Sequence, residues 1–350
     1  MEFLMEYGLF LAKTITFVVA LAVIVGLIAS LSHRGKSSAK GEIKIQNMNE
    51  FYDDMFERVE QNLLSEEEYK SQKKQQQKDE KEAEKKRKKL EKEGEAPPPE
   101  KRLFVIDFDG DMKASAVEPL KHCVSAVLHA ASADDEVLVR LESGGGMVHS
   151  YGLASSQLDR ITNAGIPLTV SVDKVAASGG YMMACVAKKI IAAPFAIIGS
   201  IGVVAQMPNF HRLLKKHDID FEMLTAGEYK RTLTLFGENT DKGRQKFVED
   251  LEDTHQLFKA FVTEHRPSVD IASVATGEVW YGRQAVDNGL VDELCTSDEY
   301  ITRQLKETKI LRVDFVEHKN IMDRIGGAVE SSVDRMATRW LSRLTQHRFF

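Results

Sequence analysis

The chain has 350 residues, a formal net charge of −6, and 43% hydrophobic and 29% charged residues. That balance is globular and excludes a wholly disordered, collagen-like or many-span membrane protein. The acidic total goes against a nucleic-acid binder, which needs a basic footprint. Cys123, Cys185 and Cys295 are odd in number, far apart and without C-x-x-C spacing, so they read as buried thiols rather than a disulfide framework or a zinc site. No cofactor-binding or metal-ligating residues are expected.

Three unlike segments follow one another. From Thr14 to Leu31 the chain reads TITFVVALAVIVGLIASL without a charge, extendable backwards across Lys13 to GLFLA. This predicts one membrane-spanning helix over about 9–31, within an anchor of residues 1–40. The residues before it carry Glu2 and Glu6 and no basic group before Lys13, and no A-x-A site follows clearly, so an uncleaved anchor is favoured over a signal peptide. Arg34, Lys36 and Lys40 follow the span, and by the positive-inside rule they place the bulk of the protein in the cytoplasm.

Residues 41–102 open with an amphipathic stretch around Phe51, Phe56, Val59 and Leu63. They continue as a Lys, Glu and Gln run and end in Pro97-Pro98-Pro99. A run so poor in apolar residues cannot bury a core, so this part is expected to be a charged helical or disordered spacer.

From Leu103 onward, short apolar runs alternate with helical periodicity. LFVIDF (103–108) is followed by a helix over 114–131, VLVRLE (137–142), a helix over 148–164, and PLTVSV (167–172). This order predicts an α/β fold with a mostly parallel sheet. Functional groups in such folds sit after the carboxyl ends of strands, which directs attention to the loops after Glu142 and Val172.

Both loops are unusual. Ser143-Gly144-Gly145-Gly146 places three glycines between a strand and a helix, but without the lysine of a P-loop or G-x-G-x-x-G spacing. An oxyanion hole and a plain tight turn both stay open for it. In VDKVAASGGYMMACVA (172–187), Ser178 lies on a strand-to-helix turn, where a nucleophile would sit beside the N–H of Gly179. A helix-capping serine is the plain alternative. A serine nucleophile needs a base. His149 lies close behind the glycine loop, but no acidic orienter stands out for it. The other solution is a lysine kept neutral by burial. Lys230, in LTAGEYKRTLTLF, is placed for that, with an ordinary exposed basic pair, Lys230-Arg231, as the alternative.

Four motifs together, LESGGGMVHSYGLA, VDKVAASGGYMMACVA, PFAIIGSIGVVAQ and TAGEYKRTLT, resemble the S49 peptidases, the family of the signal peptide peptidases, in their order along the chain. The resemblance covers essentially the whole chain. It implies a ClpP/crotonase-like repeated β-β-α domain over 103–317 and a Ser-Lys dyad. Ser178 would be the nucleophile, Lys230 the general base and then acid, and Ser200 the hydroxyl that orients the lysine. Gly179 would supply one oxyanion N–H, and Gly145 or Gly146 the second. The family's S-P-G-G loop has Gly144 in place of its proline here, and the choice between the two glycines stays open. The resemblance further implies peptide substrates derived from membrane or signal peptides, a bacterial inner-membrane location and a homo-oligomeric ring in which serine and lysine come from one subunit or two. It is compatible with the outer membrane face, whereas the charge flanks favour the cytoplasm. No nucleic-acid partner is expected.

Residues 240–266 carry a charged helical pattern. In 318–350, Ile321, Ile325, Val329, Val333, Met336, Trp340 and Leu344 form one apolar stripe of an amphipathic helix interleaved with arginines. This helix fits a role against the lipid bilayer, against another subunit or docked on its own chain. Two other classes compete with the peptidase reading: a crotonase-type acyl-CoA enzyme, which leaves Ser178 and Lys230 without a role, and a non-catalytic membrane-tethered scaffold.

Overall fold

The computed structural model describes residues 41–92 and 100–317, together with Gly8, Phe10, Leu11, Lys13, Thr14, Thr16 and Phe17. In chain order the elements are β1 (Gly41–Asn47), α1 (Met48–Leu63), α2 (Glu66–Lys92), β2 (Arg102–Gly110), α3 (Val117–Ala130), β3 (Glu136–Ser143), α4 (Val148–Asn163), β4 (Leu168–Val172), β5 (Val175–Ala177) and α5 (Gly179–Ala184). There follow β6 (Lys189–Ala192), β7 (Ile197–Gly199), α6 (His211–Lys216), α7 (Asp241–His265), α8 (Ile271–Val274), β8 (Val279–Tyr281), α9 (Gly282–Asp287), β9 (Glu293–Leu294), α10 (Ser297–Gln304) and β10 (Lys309–Glu317).

The apolar runs of β2 and β3 are continuous because both faces of the sheet are covered. Val137, Val139 and Leu141 join the larger core with Val124, Leu158, Ile161 and Phe258. Leu138, between them in sequence, faces the other way and packs with Leu103, Val105, Ile301, Ile310 and Tyr52. The strand order is β1-β10-β2-β3-β4-β6-β9, and every pair from β10 to β9 is parallel. The expected α/β fold with a mostly parallel sheet is what forms.

At the carboxyl end of β3 the sheet forks. β4 pairs with residues 137–140 of β3, and β5 takes over at Ser143, opposite Ala176. β5 pairs in parallel with β7, and β7 pairs antiparallel with β8. The fork opens the sheet where the two glycine-bearing loops emerge. β5, a strand of three residues, has too little pattern to be seen in the sequence.

The front of the expected spacer is corrected. Gly41–Asn47 is a strand of the sheet, and the folded unit runs from Ile43 to Phe315. Tyr52 is buried in the second core, and the Asn49 side chain donates to the carbonyls of Leu305 and Thr308 while accepting from the Ile310 N–H. Only Ile43 and Ile45 marked this strand as apolar, too weak an alternation to separate it from the charged run. α2 is the charged helix itself. The expected span over 9–31 and the expected amphipathic helix over 318–350 lie largely or wholly outside the described residues. Among the described residues, no helix is long and apolar enough to cross a membrane. All three cysteines are free and buried, and burial pushes the Cys123 thiol up to about 11 and that of Cys185 further still.

α7 crosses behind the fork and is tied to α4 by His265. Its Nδ1 lies 2.9 Å from the Phe261 carbonyl and its Nε2 2.9 Å from an Asp159 carboxylate oxygen, so both nitrogens face acceptors and the imidazolium suits the site. Burial opposes that charge, but the Phe261 carbonyl and Asp159 together outweigh it and hold the group above its usual range. A raised pKa stabilises the fold fully below the unfolded value and is lost as pH rises through the folded one. Asp159→Asn is therefore expected to cost stability at acid pH and progressively less towards alkaline pH, as read by denaturant unfolding across that range. A difference independent of pH would refute the assignment.

Candidate active site

β5 ends at Ala177 and α5 begins at Gly179, so one residue, Ser178, turns strand into helix. It does so at φ 52° and ψ −119°, a conformation that costs a residue bearing a Cβ about 1–3 kcal/mol. Two backbone hydrogen bonds hold it there: the Ser178 N–H donates to the Gly199 carbonyl at 2.7 Å, and the Ser178 carbonyl accepts from the Met182 N–H at 3.0 Å. The half-buried hydroxyl has no hydrogen-bond partner among the described residues. It lines a cavity of about 900 Å³. A serine raised on a strained strand-to-helix turn is the arrangement of a nucleophile elbow, reached here without the G-x-S-x-G sequence.

The glycine loop lies directly against this turn. At Gly145, with φ 87°, a Cβ would stand 2.7 Å from the Ser178 Cβ and 2.8 Å from the Gly179 nitrogen, closer than real Cβ atoms come. Gly179 meets the same constraint from below, since a Cβ there would lie 2.4 Å from Cγ of the buried Tyr151 ring. The Gly145 N–H donates to Ser143 Oγ at 3.0 Å. The N–H groups of Gly146 and Gly179 have no partner among the described residues. The far end of the loop is pinned by the Met147 N–H on the Met112 carbonyl at 2.9 Å.

Across the cavity is Ser200, one residue past Gly199, which pairs with Ala177 in the β5–β7 register. Ser200 also has a positive φ, 51°, and its N–H donates to the Glu278 carbonyl at 2.7 Å. His255 on α7 lines the cavity and its Nε2 donates to the Ile201 carbonyl at 3.2 Å, bracing the strand end that carries Ser200. Beside Ser178 and Gly179 a smaller apolar recess of about 20 Å³ is walled by Val148, Met182, Val203 and Phe258.

Ser178, Ser200, Gly145, Gly146 and Gly179 thus come together around one space, and Lys230 does not join them. It lies in residues 203–240, which hold α6 and otherwise only turns and irregular backbone. No strand lies in this arm ahead of the lysine. Lys230 is exposed and is not among the residues that line the cavity, so within one chain the expected burial of the lysine is not met. The physical reason is plain in its neighbours: Val204, Phe221, Leu224 and Tyr229 are also exposed, Leu224 at 94%, so this arm has no core of its own to enter. His149 is exposed on the first turn of α4 and lines neither cavity.

Ser143, Tyr151 and His255 went unnoticed in the sequence. In the sequence Ser143 is one more polar residue ahead of the glycines and Tyr151 one more position of a helical stretch, so neither carries a local signal. His255 lies in a charged helix whose pattern gives no sign that one face meets a strand end.

Residues 2–158 match the description "Peptidase family S49 N-terminal" and residues 160–311 match "Peptidase family S49". The chain belongs to this family of peptidases. It is 49% identical over 344 residues to "Probable protease SohB" of Haemophilus influenzae strain Rd, covering 98% of this chain and 97% of that one. Another "Probable protease SohB", from Buchnera aphidicola subsp. Acyrthosiphon pisum, is 49% identical over 94% of this chain and 95% of its own. "Protease 4" of H. influenzae is 28% identical over 51% of this chain and 30% of its own length. Membership in a peptidase family favours that class over the acyl-CoA reading.

Because Gly145 combines a positive φ with contact to Ser178, Gly145→Ala should destabilise the fold by about 1–3 kcal/mol. It should also displace the Ser178 turn. Unfolding measurements read the first effect, and slower labelling of Ser178 by a fluorophosphonate reads the second. Wild-type stability and labelling would contradict the close approach.

Proposed function

We propose that the protein is a membrane-anchored serine endopeptidase that cleaves peptide bonds by a Ser-Lys dyad through an acyl-enzyme. The observation that carries this reading is Ser178: a strained strand-to-helix serine whose hydroxyl lacks a hydrogen-bond partner among the described residues and lines a cavity with the N–H groups of a glycine loop beside it. In this mechanism Lys230 takes the Ser178 proton as Oγ attacks the peptide carbonyl. The C–N bond then breaks, the lysine returns its proton to the leaving amine, and water hydrolyses the resulting ester. The oxyanion is held by the Gly179 N–H and by one N–H of the glycine loop. Gly146 supplies the latter, because the Gly145 N–H is already donated to Ser143. Ser200 orients the lysine.

The lysine reaches the serine by assembly. The exposed apolar side chains of 203–240 and the exposure of Lys230 support a homo-oligomeric ring in which this arm packs on a second copy. Residues 9–31 anchor the protein in the bacterial inner membrane, with flanking charges that favour a cytoplasmic catalytic domain. Extended membrane-derived peptides, spent signal peptides among them, are the substrate class.

Hydrolysis of a fluorogenic peptide by the detergent-solubilised full chain should be abolished in Ser178→Ala and in Lys230→Ala with folding intact. Mixing the two inactive variants should restore part of the activity, since each supplies what the other lacks. Unchanged activity in both variants would refute the dyad, and no hydrolysis by the wild type would leave a scaffold as the better reading. The 20 Å³ recess beside Ser178 has room for one water-sized group. Peptides with alanine before the scissile bond should therefore exceed those with phenylalanine by at least ~10-fold in kcat/KM, and equal rates would refute that use of the recess.

A further inference from the structure

Two buried hydroxyls connect the glycine loop to the turn after β2. Tyr151 is fully enclosed and Ser143 is 2% exposed. Tyr151 Oη lies 2.8 Å from the Asp111 carbonyl oxygen and 2.5 Å from Ser143 Oγ, which in turn lies 3.0 Å from the Gly145 nitrogen. A carbonyl oxygen only accepts, so the single phenolic proton goes to Asp111. Ser143 must then donate to Tyr151, and its lone pair receives the Gly145 N–H. One polarity satisfies every proton along the line from Gly145 through Ser143 and Tyr151 to Asp111. Burial above all pushes the Tyr151 phenol up, so the proton this line needs stays in place.

The surroundings are shaped to this pair. Gly110 stands opposite Ser143 in the β2–β3 register, and a Cβ there would lie 2.5 Å from Tyr151 Oη and 2.6 Å from Ser143 Oγ. The terminal acceptor is itself fixed. The Asp111 carbonyl also accepts the Ala114 N–H at 3.0 Å, and the Asp111 carboxylate accepts the N–H groups of Lys113 at 3.1 Å and Ser115 at 2.8 Å. A Cβ at Gly144, by contrast, would meet nothing within 4 Å, so the loop's first glycine borders open space. Hydrogen bonds in series in a buried site polarise one another and act as a unit.

We infer that Ser143 and Tyr151 are positioning residues, a proton-ordered relay that holds the glycine loop where it stabilises the oxyanion formed at Ser178. The inference rests on the serine peptidase reading above. The relay acts on the transition state and leaves substrate binding nearly alone, because it touches the loop backbone and not the cavity.

The test compares full-length wild type, Ser143→Ala, Tyr151→Phe and the double variant in detergent, with rates normalised to the serine titrated by a fluorophosphonate. Tyr151→Phe keeps the ring beneath Gly179 and removes only the hydroxyl, so the fold is retained. Each single variant is expected to lose about 10-fold in kcat with KM changed by less than about twofold, the signature of an interaction made in the transition state. The double variant should lose no more than the worse single one, since removing either member already breaks the line. A kcat per titrated serine within about twofold of wild type in both single variants, or losses that multiply in the double, would overturn the relay. Hydrolysis that persists in Ser178→Ala would overturn Ser178 as the nucleophile, and with it the oxyanion the relay would serve.

Discussion

The site depends on how closely three stretches of backbone approach one another at the end of β3. The glycine loop, the Ser178 turn and the first turn of α5 occupy a space in which a Cβ at Gly145 or Gly179 would fall within 3 Å of its neighbours. Such crowding is stable only because each stretch is held by a rigid element: β3 by the parallel sheet, Ser178 by its bonds to Gly199 and Met182, and the loop by Ser143 and Met112. The positive φ of Ser178 is tolerated because these partners over-determine it. The glycines around the serine are therefore steric necessities first, and the N–H groups of Gly146 and Gly179, without a partner among the described residues, are a consequence of the same geometry.

The fork in the sheet explains why this crowding occurs where it does. A parallel sheet that continued from β3 to β4 would close over the strand ends. Instead β5 displaces β4 at Ser143, and residues that flank β5, β7 and β8, namely Ser178, Ser200 and Gly277, line the cavity. α7 contributes His255 to the cavity and Phe258 to the smaller recess, and His255 is bonded to the strand end that bears Ser200. The cavity is thus lined from six separate parts of the chain, and ligand sites in open α/β sheets form at such breaks in strand order.

Against this ordered half stands the arm of residues 203–240. Its apolar residues are spaced irregularly and most remain exposed, and the lysine they surround stays apart from the serine. A desolvated lysine requires apolar surroundings, and a single chain does not bring them to Lys230. The proposed assembly of copies answers the exposure of the arm and the incompleteness of the site together.

Much of the central fold was legible because its signals are local. Apolar runs marked β2, β3 and β4 to within one or two residues, the 3.6-residue period marked α3, α4 and α7, and glycines beside serines pointed to the two loops. β1 and β5 were not legible, since a strand with two apolar residues or three residues in all takes its identity from the neighbour it pairs with. The sequence by itself therefore determined the α/β class, the family motifs and the two glycine-bearing loops. Only the tertiary structure decided that the sheet forks at Ser143, that Gly145 spends its N–H on a buried hydroxyl line, and that Lys230 lies away from Ser178. The fork pairs Ser143 with Ala176 and the hydroxyl line ends on Asp111, 40 positions from Tyr151, and for these contacts the order of residues along the chain carries no local signature.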